Sequence, residues 1–321
     1  VIIMTSSEWF KNAQFGIMAH FGLYSVLEGE YKGNPTNEWA RRYCEIPREE
    51  YHKLASAFNP IYFDAEEWIS YVKASGAKYF VLTSKHHEGF ALFDSKVSDF
   101  NVVKATPFGR DIIKEISEAC KKYDIKLGLY YSHDQDWEEP DAGGFIENKW
   151  CHPANNYWDY NPTNTIEDFQ KYLDRKVKPQ VTELLTNYGD LCQIWFDNPW
   201  TITKDQSKEL YDLVKSIQPD CLCSARIGHG YGEIVGGGDN AYDMDGHPVH
   251  PAEAPVTLAG TDCWGFSVYN NMSYKSAEEL MGYKKQLNAK GVNMLLNVGP
   301  DHLGRFPGPA VKVLKEMGEM K

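Results

Sequence analysis

The stretch Tyr79-Phe80-Val81-Leu82-Thr83-Ser84-Lys85-His86-His87-Glu88-Gly89-Phe90 decides how this chain is read. Tyr79 to Thr83 is short, apolar and rich in β-branched and aromatic residues, the composition of a strand covered on both faces. Lys85, His86, His87 and Glu88 follow at once, with Gly89 to turn the chain. A buried strand that releases polar groups at its C-terminal end is how a parallel α/β barrel presents an active site. Two adjacent histidines at that point require a chemical explanation.

Working outward, strand-like and helix-like segments alternate. Phe15 to His20, Lys126 to Ser132, Cys192 to Phe196, Cys221 to Ser224 and Asn293 to Val298 read as further strands, with weaker ones around Val235 and Trp264. Helices are expected over Asp64 to Ala74, with an N-terminal cap at Asp64 and a stop at Gly76, and over Arg110 to Tyr123. Ile166 to Tyr188, Lys204 to Ile217, Ser276 to Ala289 and Pro307 to Lys321 read as helices too. Asp134 to Asn164 reads as a long irregular insertion, a length usually reserved for function or mobility. The alternation predicts α/β, a (β/α)8-like TIM barrel, irregular in units five to seven, as one catalytic domain over 1–321.

Composition bounds the partners. The net charge of −12, with no basic cluster to offset it, excludes nucleic acid and anionic membrane surfaces. No apolar run approaches the ~18 residues of a membrane span. Aromatic residues make up 14% of the chain, enough to line a carbohydrate cleft as well as fill a core. The seven cysteines are scattered without a C-x-x-C pair, which disfavours a zinc ribbon and suits free thiols in a reducing compartment. Val1-Ile2-Ile3-Met4 lacks the basic region and apolar length of a signal peptide. A cytoplasmic protein, with a homo-oligomer compatible, is the expectation.

The strand ends converge on polar groups: His20, then Lys85, His86 and His87, then Tyr130, Tyr131, Ser132 and His133, then Asp197, then Arg226. Each alone is weak, since a lone histidine is often a satisfied structural residue; together they argue for one pocket. Asp197 emerges from apolar Ile194, Trp195 and Phe196. A helix cap is the plain alternative, but Thr203 is better placed for the following helix. A carboxylate walled by Trp195 and Trp200 suits a nucleophile toward a sugar carbon. A retaining glycosidase needs a second carboxyl ~5–5.5 Å away. Asp239, in a glycine-rich loop, and Glu253, in a loop before the seventh strand, are the candidates, with Glu233 a weaker third. Asp239 as a turn residue and Glu253 as a solvated loop charge are the plain alternatives. A metal shell of His20, His86, His87, His133 and Asp197 is a lesser reading, because strand one lacks a His-x-His pair. A sugar-binding barrel without catalysis is another.

The residues then meet a known family. Trp9-Phe10, Phe15 through Gly22, Asn37-Glu38-Trp39, Lys85 through Phe90, Tyr130-Tyr131-Ser132, Trp195-Phe196-Asp197, Trp264-Gly265-Phe266 and Leu295 through Pro300 resemble, in order, the α-L-fucosidases of glycoside hydrolase family 29. The resemblance implies retaining hydrolysis of terminal α-L-fucose, with Asp197 as nucleophile and no cofactor. It implies sugar-binding roles for His20, Trp39, His86, His87, Tyr131, Arg226 and Trp264. The acid/base varies across the family; the loop ending Gly238-Asp239-Asn240 is similar to compact bacterial members that use its Asp and cleave α-1,6-linked fucose. Asp239 therefore ranks first and Glu253 second. A fucosylated oligosaccharide or glycoconjugate is the implied partner. The C-terminal β-sandwich of many relatives is not seen in this sequence.

Overall fold

A computed structural model describes residues 4–146, 149–150, 165–269 and 273–320. Eight strands form one parallel sheet: β1 Phe15–Ala19, β2 Tyr79–Lys85, β3 Lys126–Tyr131, β4 Leu191–Phe196, β5 Leu222–Cys223, β6 Val235–Gly236, β7 Ala252–Thr257 and β8 Val292–Val298. Their order is β6-β7-β8-β1-β2-β3-β4-β5. The two ends of that order meet through a parallel bridge between Ser224 and Ile234, where Ile234 N–H donates to Cys223 O at 3.1 Å and Ala225 N–H to Ile234 O at 2.8 Å. A (β/α)8-like barrel results, and its expected irregularity lies where β5 and β6 shrink to two residues each.

Alternation sorts the strand residues. Ile17, Phe80, Leu82, Leu129, Ile194, Phe196, Met294 and Leu296 face outward into the main core. Beside α1 Ser6–Ala13, which packs against the inward face, helices cover them: α2 Ala65–Ala74, α3 Ile112–Tyr123, α4 Lys178–Asn187, α5 Lys204–Ile217, α6 Ala277–Ala289 and α7 Gly308–Glu319. Met18, Tyr79, Val81, Tyr130, Trp195 and Leu295 face inward, and Phe10 of α1 closes the N-terminal end. Gly16 makes room there: a Cβ would lie 2.4 Å from the Tyr79 ring. Packing at this density leaves the C-terminal end as the place for a site.

Local chemistry sets the helix starts. Asp64 Oδ1 accepts from Glu67 N–H at 3.0 Å, and Asp111 Oδ1 from Lys114 N–H at 2.9 Å. Thr203 and Gln206 close a full capping box on α5, so Asp197 is free of that duty. The expected helix 166–188 is instead Ile166–Tyr172, a π-turn over Leu173–Val177, and α4. The π-turn accompanies the burial of Lys176, which pairs with Asp136 at 2.9 Å and Glu139 at 2.9 Å.

One strand expectation is corrected. The seventh strand is Ala252–Thr257, not a segment around Trp264. Pro251 and Pro255 made it read as a loop; Pro255 is tolerated because its carbonyl faces the side where β6 has already ended, accepting from Asn240 N–H at 2.9 Å. The start of the insertion is irregular as expected, yet Asp134, Gln135, Asp136 and Trp137 are all buried. Its later part, residues 151–164 with Cys151, lies outside the described residues. The described cysteines are free. Among the described residues no helix is long and apolar enough to cross a membrane.

Candidate active site

The C-terminal end of the barrel opens into a cavity of ≈ 360 Å³. His20, Trp39, His86, Trp195, Asp197, Arg226, Asp239 and Trp264, all singled out from sequence, line it together. His87, Tyr131 and Glu253 do not.

Asp197 follows β4 by one residue and inherits its inward parity from Gln193 and Trp195. Two donors meet it: Tyr130 Oη–H at 2.9 Å on Oδ2 and Arg226 Nη1–H at 2.9 Å on Oδ1. Arg226 also donates through Nη2 to Asp239 Oδ1 at 2.6 Å and to Gly237 O at 3.1 Å. One guanidinium thus bridges both carboxylates. Burial works against the charge on Arg226, but Asp197 and Asp239 hold its pKa above the ordinary value. Its guanidinium lies 4.8 Å above the Trp195 ring.

The histidines are fixed as neutral rings. Asn297 Nδ2–H donates to Trp264 O at 2.7 Å, so its Oδ1 faces His20 Nδ1 at 2.7 Å and accepts a proton from it. His20 Nε2 is then a lone-pair acceptor. Burial pushes the His20 pKa down to about 4, so the ring stays neutral near pH 7. His86 stacks on Tyr130, with centroids 5.3 Å apart, and its Nδ1 is buried without a partner. Burial, then the neighbouring His87 and His20, holds its pKa well below the usual imidazole range.

His87 serves from behind. Ser132 Oγ–H donates to Gln135 O at 2.6 Å, so Ser132 accepts from His87 Nδ1–H at 2.6 Å. His87 Nε2 accepts from Asn198 Nδ2–H at 3.1 Å and lies 3.6 Å from Asp197 Oδ2, too far for a hydrogen bond. Asn198 reaches it from a left-handed backbone position, φ 49°, which asparagine tolerates. Trp39, edge-on to His87 at 5.0 Å and tilted to Trp200 at 6.3 Å, forms the cavity wall.

Two further placements, beside that of His87, depart from the sequence reading. Tyr131 points outward, its hydroxyl donating to Gln180 Oε1 of α4 at 2.8 Å; its neighbour Tyr130 takes the inward position. Glu253 is a buried strand residue rather than a loop carboxyl. It accepts from Tyr79 Oη at 2.5 Å, Trp195 Nε1 at 3.0 Å and Gln193 Nε2 at 3.2 Å. Glu233 sits apart, accepting from Cys223 N–H at 2.8 Å. His133 turns away to Ile227 O at 3.2 Å. Among the described residues, no three His, Cys, Asp or Glu side chains are grouped to hold a metal ion.

Sequence reasoning missed the roles of Tyr130 and Glu38. The inward run Gly128, Tyr130 along β3 could have found the first. Glu38 is buried at the cavity edge, its Oε2 accepting from Trp264 N–H at 3.0 Å and Gly265 N–H at 3.1 Å. It therefore presents Trp264 to the cavity, and no local pattern announces a contact across so much chain.

The chain has counterparts among known proteins. The family model described as Alpha-L-fucosidase matches residues 4–320. An α-L-fucosidase of Dictyostelium discoideum is 31% identical, over 97% of this chain and 68% of its own length. Among solved structures, α-L-fucosidase AlfC from Lactobacillus casei, bound to α-L-fucose, is 42% identical with TM-score 0.88, covering 98% of this chain and 97% of its own. A mutant AlfC in complex with Fucα(1,6)GlcNAc is likewise 42% identical, with TM-score 0.90, 98% of this chain and 97% of that one covered. The AlfC structures are thus matched over nearly their whole length, and the chain belongs to the α-L-fucosidase family.

Proposed function

We propose that the barrel mouth hydrolyses terminal α-L-fucosyl linkages with retention, Asp197 acting as nucleophile and Asp239 as acid/base. The observation that carries this is the single guanidinium of Arg226 bonded to both carboxylates in one cavity. A shared fork keeps the pair within a few ångströms, as the ~5–5.5 Å of a retaining pair requires. Tyr130 and Arg226 orient the Asp197 oxygens toward the anomeric carbon. Asp239 is half-exposed and follows Gly236-Gly237-Gly238, a backbone able to turn its carboxyl from Arg226 to the glycosidic oxygen. It protonates the leaving oxygen, then takes a proton from the water that releases fucose.

The remaining lining suits a deoxy-sugar. His20 Nε2 accepts a hydroxyl proton, the Nε2 edge of His86 meets a second hydroxyl, and Trp39 and Trp264 cover apolar ring surface and methyl group. The AlfC complex with Fucα(1,6)GlcNAc supports an α-1,6 linkage for this chain as well. The free thiols support a reducing, cytoplasmic setting.

The test is turnover of 4-nitrophenyl α-L-fucoside by Asp197→Gly and Asp239→Gly, with added azide. Each should lose ~10³-fold or more. Azide should restore the first as a fucosyl azide of inverted configuration and the second as one of retained configuration. If Asp239→Gly keeps near-native turnover while Glu253→Gly is rescued by azide, the proton donor is misassigned.

A further inference from the structure

Beneath the cavity floor the barrel holds a carboxyl that the proposed chemistry leaves unused. Glu253 lies on the inner face of β7, 2% exposed. Three donors from two other strands converge on it: Tyr79 Oη–H from β2, and Gln193 Nε2–H and Trp195 Nε1–H from β4. An apolar side chain would fill such a place at less cost than a carboxyl taken from water. What the carboxyl holds gives it a reason. The Trp195 ring stacks on Tyr130, with centroids 5.5 Å apart and planes at 20°, and it lies under the guanidinium of Arg226 at 4.8 Å. Tyr130 and Arg226 are the two donors to Asp197. One indole backs both.

We propose that Glu253 is a positioning residue for the hydrolysis: by accepting the Trp195 Nε1–H it fixes the ring against which Tyr130 and Arg226 are aligned on Asp197. The proposal rests on the reading of Asp197 as the reacting carboxylate. An acceptor on the indole N–H sets the ring plane, and a negative one also strengthens the pull of the ring on the guanidinium above it. Without it the buried N–H is left unsatisfied and the ring tilts to find a partner. A shift of ~1 Å at a reacting group is enough to cost ~10²-fold in rate.

The same cluster is sensitive to protons near neutrality. Burial raises the Glu253 carboxyl to about 7, against the three hydrogen bonds and the charge of Arg226. The ionisable groups facing it are Tyr79 from β2, Cys192 from β4 and Arg226 from beyond β5. Above that value the carboxylate accepts from all three donors. Below it the new O–H needs an acceptor, and Gln193 Oε1, buried and unpartnered, supplies one once its amide turns.

The experiment compares Glu253→Gln, Glu253→Met, Trp195→Phe and the Glu253→Met/Trp195→Phe double variant on 4-nitrophenyl α-L-fucoside across neutral pH. Glu253→Met should lower kcat by ~10–100-fold with KM within ~2-fold. Glu253→Gln, which keeps an oxygen for the indole, should recover most of that loss and erase the wild-type inflection near 7. In the Trp195→Phe background Glu253→Met should cost less than ~2-fold more, because the link is already cut. Additive losses, or lowered thermal stability with kcat and pH profile intact, would overturn the proposal; so would azide rescue of Glu253→Met. A ¹⁵N-indole spectrum needs no activity. The resonance lost in Trp195→Phe should move with pH through neutrality in the wild type and stay still in Glu253→Gln; a signal that ignores pH in both breaks the proposed link. A wild type that turns over no fucoside would sink the hydrolytic reading instead, and the spectrum would still decide the contact.

Discussion

Glu38→Gln separates the price of a buried charge from the geometry it serves. Glu38 is 3% exposed, and burial raises its carboxyl to about 7 despite the Trp264 and Gly265 N–H groups that favour the charged form. A folded-state pKa above the unfolded value means that the native state holds the proton more tightly. The native state is therefore favoured while the carboxyl is protonated, and that advantage is lost as pH rises from 4.5 through 7. The rise corresponds to on the order of 3 kcal/mol at pH 8. Glutamine remains neutral and still offers an oxygen to both N–H groups. At ~2.1 cal/mol/K per residue, a chain of this length unfolds with ~0.7 kcal/mol/K of entropy. The variant should melt ~3–5 °C above the wild type at pH 8 and within ~1 °C of it at pH 5. Paired scanning calorimetry at the two pH values measures this difference. An equal offset at both values, or a variant that loses stability relative to wild type as pH rises, refutes the reasoning. Activity should fall by less than ~10-fold, because Trp264 keeps its support.

Other outcomes follow from the same geometry. Tyr130→Phe removes a hydrogen bond to a charged group and should lower kcat/KM by ~10–100-fold, whereas Tyr131→Phe, facing Gln180, should stay within ~3-fold in fucoside kinetics. Lys85→Met removes one of the two lysines that pair with buried Asp136; a cost of ~3–5 kcal/mol predicts a melting temperature lower by ~4–7 °C. His20, with its pKa at about 4, is neutral above pH 5 and should lend no pH dependence to fucose binding from pH 6 to 8; a titration of fucose by intrinsic fluorescence checks it.

The barrel was legible because covered parallel strands carry their signature in four or five consecutive residues. Phe15 to Ala19, Tyr79 to Thr83, Lys126 to Tyr131 and Val292 to Val298 needed no tertiary context. The seventh strand failed that test because Pro251 and Pro255 are turn residues locally; only the early end of β6 makes Pro255 harmless. The site was legible as a set of strand ends, since each polar group follows its own apolar run. What stayed hidden was contact at a distance, as where Glu38 meets Trp264 or Glu253 meets Trp195. Those pairs leave no spacing to read.

Which member of each adjacent pair enters the cavity is a question of parity, and β2 shows why sequence alone answers it wrongly. Tyr79 and Val81 face inward and Phe80 and Leu82 outward. Unbroken alternation would carry Lys85 inward and His86 outward. The ladder between β2 and β3 slips between Thr83 and Lys85, and the extra residue inverts the pattern. Lys85 then faces the helices, where Asp136 meets its Nζ at 2.7 Å and Tyr172 at 3.2 Å. His86 faces the cavity. A buried ammonium demands a carboxylate, and Asp136 supplies one on the outer side of the strand. The charge of Lys85 and the carboxylate of Asp136 thus stabilise the slipped register, and through it the placement of the histidine that the cavity uses.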